Sequence, residues 1–269
     1  MSSKEDGSAE GLIDRVTTSH SLMAVLKASR MYGPARNLYH SWYAPRRLRF
    51  YSSFVKRGDL VFDVGANIGT RLATFVDLGA RVVAFEPQTL CFAALRRRFE
   101  SNKRVQVVHA GLGQSEGTGT IRLCENDSLS SMSEAWVRGV KSSRRFGTLQ
   151  WGRSEEVSMT TLDRAIERYG MPAYCKIDVE GYELNVIRGL SKAIPCLSFE
   201  FNMELMSDAE EIVDRLTAIG AYEFNYCVGE PARLELVDWA SPGSMTSTLG
   251  TVRSGHVDVF ARRLPEGKA

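Results

Sequence analysis

Apolar and polar positions along this chain change their period several times. Leu60-Val61-Phe62-Asp63-Val64 is apolar apart from one carboxylate and reads as a buried strand, after which Leu72, Phe75, Val76 and Gly79 recur at helical spacing. Residues 81–86 predict a second strand. A helix after Pro87 then carries Cys91, Leu95 and Phe99 on one side, with Arg96 to Arg98 turned outward. Residues 105–109 make a third strand. Strands separated by helices of this length need crossover connections, so the pattern predicts a parallel sheet covered on both faces.

Further along, 119–123 reads as a short strand. Residues 125–155 have little periodicity, many serines and glycines, and two tryptophans, Trp136 and Trp151, and are long enough to form a lid over a site. Order returns with a strand at 157–159 and a helix opened by Thr160, with Asp163 three residues on as a capping box. A strand at 173–179, a helix at 182–190 and a strand at 196–201 follow. Ser207 and Glu210 are expected to cap a helix running to Gly220, and strands at 222–228 and 256–262 close the chain. Residues 1–19, polar and rich in Ser, Gly and Glu, predict a disordered tail. Residues 20–57 mix Leu22, Leu38, Trp42 and Phe54 with Arg30, Arg36, Arg46 and Arg49 around Pro34 and Pro45, and predict a helical extension packed on a core domain spanning 58–269. That basic, aromatic segment could otherwise meet an acidic surface or membrane.

Composition narrows the class. At 269 residues and 43% hydrophobic content the chain can bury one α/β core with extensions. Its 34 basic and 32 acidic residues balance to +2, which gives no reason to expect nucleic acid as a partner. Cys91, Cys124, Cys175, Cys196 and Cys227 are spread singly with no C-x-x-C pair, as buried hydrophobes of a reducing compartment would be. The N-terminus lacks the basic-then-apolar order of a signal peptide and no stretch approaches a membrane span, so the cytosol is the default expectation. Nothing in the sequence fixes the oligomeric state.

Candidate chemistry begins where the first strand turns into the first helix, at Asp63-Val64-Gly65-Ala66-Asn67-Ile68-Gly69. Such a turn presents backbone N–H groups and a helix N-terminus at the carboxyl edge of the sheet, where these folds bind ligands. Asn67 stands where a dinucleotide turn would place the glycine that admits a pyrophosphate. Asp63 is expected to face the ligand, and two charges ~4 Å apart interact by about 4 kcal/mol at an effective dielectric near 20. That repels phosphate and attracts an ammonium, which suits S-adenosylmethionine with its α-ammonium, sulfonium and lack of phosphate. Glu86 ends the second strand, where a carboxylate can accept hydrogen bonds from both ribose hydroxyls. The bland alternatives are a dipole-stabilising Asp63 and an exposed strand-end Glu86, with Gly65 and Gly69 serving only tight packing.

A second constellation, Lys176-Ile177-Asp178-Val179-Glu180-Gly181-Tyr182-Glu183, ends the fourth strand of the sheet. Lys176, Asp178 and Glu180 alternate along it, and three charges on one side of a buried strand are costly unless paired or functional. The bland account is a Lys176–carboxylate ion pair.

These motifs, with the Asn126-Asp127-Ser128-Leu129-Ser130-Ser131-Met132 stretch, the block from Thr160 to Leu190 and the later Leu197-Ser198-Phe199-Glu200, resemble the FkbM-type family of S-adenosylmethionine-dependent methyltransferases over roughly residues 58 to 203. The resemblance implies an α/β, Rossmann-like class I fold: a seven-stranded, mostly parallel sheet of order 3-2-1-4-5-7-6, strand 7 antiparallel, with helices on both faces. It also implies transfer to oxygen, typically a hydroxyl of a sugar, polyketide or other small metabolite. Carried onto this chain, Asp63, Gly65, Asn67 and Gly69 would line the methionine portion of the cofactor and Glu86 the ribose. The segment around Gly111, after the third strand, would lie where such folds hold adenine, although the Asp often found there is absent. His109 in the same segment is either a base or a satisfied strand-end histidine.

Methyl transfer to a hydroxyl needs alignment, exclusion of water and a base for the proton. Glu180 and Asp178 are the candidate bases, with Asp178 also near the cofactor and Lys176 as electrostatic partner or acceptor-orienting group. Asp178, Glu180 and Glu200 could instead gather around a divalent cation, a possibility ranked below a metal-free site. Ser128 and Ser130 could orient substrate. A cofactor-binding scaffold without turnover, or an NAD-dependent oxidoreductase, remain competing readings.

Overall fold

The computed structural model describes residues 43–142, 150–201, 205–229, 233–252 and 257–265. The expected tail at 1–19 and most of the 20–57 extension lie outside the described residues, as do 143–149 of the expected lid. Among the described residues no helix is long and apolar enough to cross a membrane.

A helix at 43–51 (α1) precedes β1 (Leu60–Val64), α2 (Thr70–Asp77), β2 (Arg81–Phe85), α3 (Thr89–Phe99) and β3 (Val105–Val108). After them come β4 (Gly111–Leu112), β5 (Gly117–Leu123), α4 (Glu134–Ser142), β6 (Arg153–Thr160), α5 (Leu162–Tyr169), β7 (Tyr174–Ile177) and α6 (Glu183–Arg188). The chain closes with β8 (Cys196–Phe201), α7 (Met206–Ile219), β9 (Tyr222–Val228), α8 (Pro242–Leu249) and β10 (Val257–Arg263). Seven strands form one sheet in the order β3-β2-β1-β7-β8-β10-β9. Counted within that sheet alone the order is 3-2-1-4-5-7-6, and β10 is antiparallel to both its neighbours. The expected Rossmann-like class I methyltransferase fold is therefore the fold observed.

The period-two alternation of the strands divides the interior into two cores. Phe62 and Val64 of β1, Ile177 of β7 and Phe199 of β8 face α5 to α8 on one side. Val61, Tyr174 and Phe260 face the other side, where Leu72 and Phe75 of α2 and Tyr51 of α1 cover them. Tyr51 meets Phe75 and Tyr174 edge-on, so α1 is fastened to the sheet by ring packing.

Three local expectations need correction. The 125–155 segment is not a structureless lid. It contains a one-turn helix at Asp127–Leu129, the helix α4, and the start of β6, whose pairing with β5 and β4 makes a second, three-stranded sheet. Helix α5 is capped by Thr161, one residue later than expected: its hydroxyl accepts from the Arg164 N–H, while Asp163 reaches back to accept from the Ser191 N–H. Ser207 and Glu210 lie inside α7, which begins at Met206 without a side-chain cap.

Candidate active site

The carboxyl ends of β1, β2 and β7 meet through three loops held unusually close. Gly65 has φ 80°, and a Cβ built on it would fall 1.8 Å from the Asp178 carbonyl oxygen, so any side chain there would drive the β1 and β7 loops apart. Asn67, at φ 48°, accepts its own neighbour's N–H, that of Ile68, on its side chain. Glu86 is buried and ties the β1 loop to the β2 loop: one carboxylate oxygen accepts from the Asn67 N–H at 2.7 Å and the other from the Gln88 N–H at 2.8 Å.

Around these loops opens a cleft of about 100 Å³. Of the residues singled out in the sequence, Gly65, Asn67, Glu86, Gly111, Asp178 and Glu180 line it. Ser128 and Ser130 line it as well. Gly69, at φ 80°, instead lets the start of α2 pack on Leu95 and Phe99. His109 points away, its Nε2 3.0 Å from the Pro87 carbonyl oxygen and its ring stacked on Phe92 at 4.3 Å.

Asp63, expected to face the ligand, does not line the cleft. It is buried below the cleft floor, in register with Lys176 on β7, and both project to the sheet face that carries Val61 and Tyr174. Burial pushes its carboxyl up to about 6, against the pull of Lys176, while the charge of Asp178 pushes further in the same direction. Lys176 is buried too. Burial alone would lower its pKa, but the ion pair with Asp178 and the charge of Asp258 outweigh it and hold the ammonium protonated. The alternation expected to put Lys176, Asp178 and Glu180 on one side ends with β7 at Ile177, so Asp178 and Glu180 lie beyond the strand while Lys176 projects beneath the sheet with Tyr174.

Beyond β7 the chain turns through Glu180 at φ 55° and Gly181 at φ 82°. The turn delivers the Glu180 carboxyl to Asp178 and Glu200, and the three carboxylate oxygens lie within 4.8 Å of one another. Burial first, then Glu200, Asp178 and Glu183, push Glu180 well above the ordinary carboxylate range. Glu183 is buried beside them, accepts from the Val179 N–H at 2.9 Å, and is raised to about 8 by burial and then by Glu200. Like charges this close are relieved by holding a proton or a cation.

Two residues that hold this turn were not singled out from the sequence as site residues. Ser131, fully buried, donates its hydroxyl to the Glu180 carbonyl at 2.6 Å. The Trp136 ring lies where a side chain on Gly181 would go, within 2.6 Å of an added Cβ. The spacing of Trp136, Val137 and Val140, all buried, could have disclosed α4, because it is the one apolar stripe within 125–155.

Residues 63–225, more than half of the chain, match the profile of the methyltransferase FkbM domain. The chain belongs to the FkbM methyltransferase family. No curated protein sequence matches this family member significantly. Solved structures of similar shape include a precorrin-6y C5,15-methyltransferase from Geobacter metallireducens, at 10% identity and a TM-score of 0.43 over 81% of this chain and 87% of that one. An rRNA methylase from Streptococcus thermophilus is similar at 11% identity and 0.41 over 81% and 94%. An S-adenosylmethionine-dependent O-methyltransferase from Thermotoga maritima is similar at 12% and 0.40 over 86% and 66%. Likeness at this level speaks to neither the donor nor the acceptor of this FkbM methyltransferase.

Proposed function

We propose that the protein transfers a methyl group from S-adenosylmethionine to a hydroxyl of a small acceptor, a sugar, polyketide or similar metabolite, with Glu180 as the general base. The observation that carries this reading is the meeting of Asp178 and Glu180, which line the cleft together with Glu86, with the buried Glu200 behind them.

The donor set fits such a cofactor. Glu86 offers acceptor lone pairs for vicinal hydroxyls, Phe85, Leu112 and Ile121 offer apolar surface for a purine, and Asn67 leaves no glycine gap for a pyrophosphate. When bound, the cofactor supplies an electrophilic methyl on a sulfonium. The cleft aligns the acceptor oxygen and excludes water, and Glu180 takes the hydroxyl proton at a carboxylate oxygen. A raised pKa makes Glu180 a stronger base than an ordinary carboxylate, whereas Asp178 is committed to Lys176 and is the poorer choice.

Incubation with methyl-labelled S-adenosylmethionine and a metabolite extract, followed by mass spectrometry, tests the reading. A labelled product bearing a methyl ether is expected. A product methylated on carbon or nitrogen, or label appearing in RNA, would overturn the O-methylation assignment.

A further inference from the structure

The Glu180 turn is held by the segment that precedes α4. Ser131 is anchored by its own backbone, since its N–H donates to the Arg122 carbonyl at 3.0 Å and its carbonyl accepts from the Arg122 N–H at 2.8 Å, an isolated bridge on the edge of β5. From that fixed point its hydroxyl accepts from the Ser133 N–H at 2.9 Å and donates to the Glu180 carbonyl at 2.6 Å. A hydroxyl has one proton to give, and here it goes to Glu180. Glu180 is a non-glycine residue at positive φ, a backbone state that persists only where the surroundings impose it. Trp136, five residues beyond Ser131, closes over Gly181 from the same side. Ser128, Ser130 and Met132, interleaved with Ser131, line the cleft.

We propose that Ser131 is a positioning residue for methyl transfer: its hydroxyl fixes the Glu180 carbonyl, and through it the backbone conformation that brings the Glu180 carboxyl to Asp178 and Glu200. Ser131 lies in β5's neighbourhood and touches Glu180 from outside the strand-end loops, so the base is set by a segment far away in sequence. The proposal rests on the reading of Glu180 as base.

The test is a double-mutant cycle on the full chain, with Ser131→Ala, Glu180→Gln and the double variant. Transfer of label from methyl-labelled S-adenosylmethionine into the metabolite extract is read beside S-adenosylhomocysteine affinity by calorimetry. Ser131→Ala is expected to lower the transfer rate at least about 10-fold, a fraction of the roughly 10²- to 10⁴-fold that a positioned base contributes, with affinity for S-adenosylhomocysteine held within about threefold. In the Glu180→Gln background the same change is expected to cost less than about twofold, because residues acting as one unit are not additive. Ser131→Cys, near in volume and a weak donor, guards against a folding artefact and is expected to be impaired as well, with Ser131→Thr recovering part of the rate. Full activity of Ser131→Ala beside an inactive Glu180→Gln overturns the positioning role alone. Losses that multiply in the double variant, or a parallel loss of S-adenosylhomocysteine binding, overturn it too. Full activity of Glu180→Gln overturns the base assignment and the positioning role with it.

Discussion

Asp63 and Lys176 are register partners on β1 and β7, both buried on the same face of the sheet, and Lys176 is ion-paired beyond the strand end with Asp178. One ammonium thus answers acidic groups on both sides of the strand end, with Asp258 of β10 adding to its stabilisation. The cation belongs to the architecture of the cleft floor.

Lys176→Met should therefore leave Asp63 and Asp178 without their shared counter-charge. Removing one partner of a buried pair costs on the order of 3 kcal/mol or more. Chemical denaturation should show a lower midpoint for this variant. Its stability loss should be larger at neutral pH than at pH 4, where Asp63, raised to about 6, carries its own proton. An unchanged midpoint would mean that the pair contributes little to the fold.

Glu86→Ala should act on two levels, since the same carboxylate ties the Asn67 and Gln88 N–H groups and lines the cleft. Two charge-assisted bonds to buried backbone donors are lost, and a destabilisation of about 2 kcal/mol follows. Affinity for S-adenosylhomocysteine should fall at least about 10-fold. In the unaltered protein S-adenosylhomocysteine should raise Tm and NADH should not, because a ligand that binds the native state alone stabilises it. Stabilisation by NADH would revive the oxidoreductase reading.

Glu183 gives a pH dependence with a definite sign. Its carboxyl titrates at about 8 in the folded chain and at 4.5 when unfolded. Below 4.5 both states are protonated and nothing is lost. As pH rises toward 8 the unfolded chain releases the proton first, so stability declines across this window. Glu183→Gln keeps an oxygen to accept from the Val179 N–H and has no proton to lose. The variant should gain on the parent protein progressively from pH 5 to 8, by an amount on the order of a few kcal/mol. Parallel stability curves for the two proteins would contradict this.

The three converging carboxylates make a chelation experiment decisive. With Glu180 raised well above the ordinary range, a shared proton relieves the repulsion in the resting site, its ionised fraction serves as the base, and transfer should proceed unchanged in EDTA. Loss of activity on chelation, restored by Mg²⁺, would assign the trio to a cation instead.

Much of this was legible before any coordinates. A parallel sheet followed from the lengths of the connecting helices, its strand order from the resemblance to the FkbM-type family, and the residues of the cleft floor from the ends of β1 and β2, because parallel α/β sheets put ligands at that edge. Orientation was less legible. Asp63 stood at the end of an apolar strand and promised a contact with ligand, yet strand alternation sends it to the side of Val61, under the floor. The capping of α5 was misplaced by one residue because Thr160 and Thr161 are adjacent and chemically alike. The convergence of Glu180 with Glu200 depends on a positive φ imposed by Ser131, about fifty residues earlier in the chain. No local pattern carries that information, because the hydroxyl and the turn it holds are neighbours only after folding.

The near contact between Gly65 and the Asp178 carbonyl separates what this scaffold can vary from what it must keep. With two loops pressed together at backbone distance, neither can accept a bulkier residue at the contact without displacing the other, so substitutions there are coupled. Residues 128 to 142 sit opposite, outside the main sheet, and form the adjustable wall. A library aimed at new acceptors should be diversified there, sparing Ser131 and Trp136, and leave the 63–69 and 178–181 junction untouched.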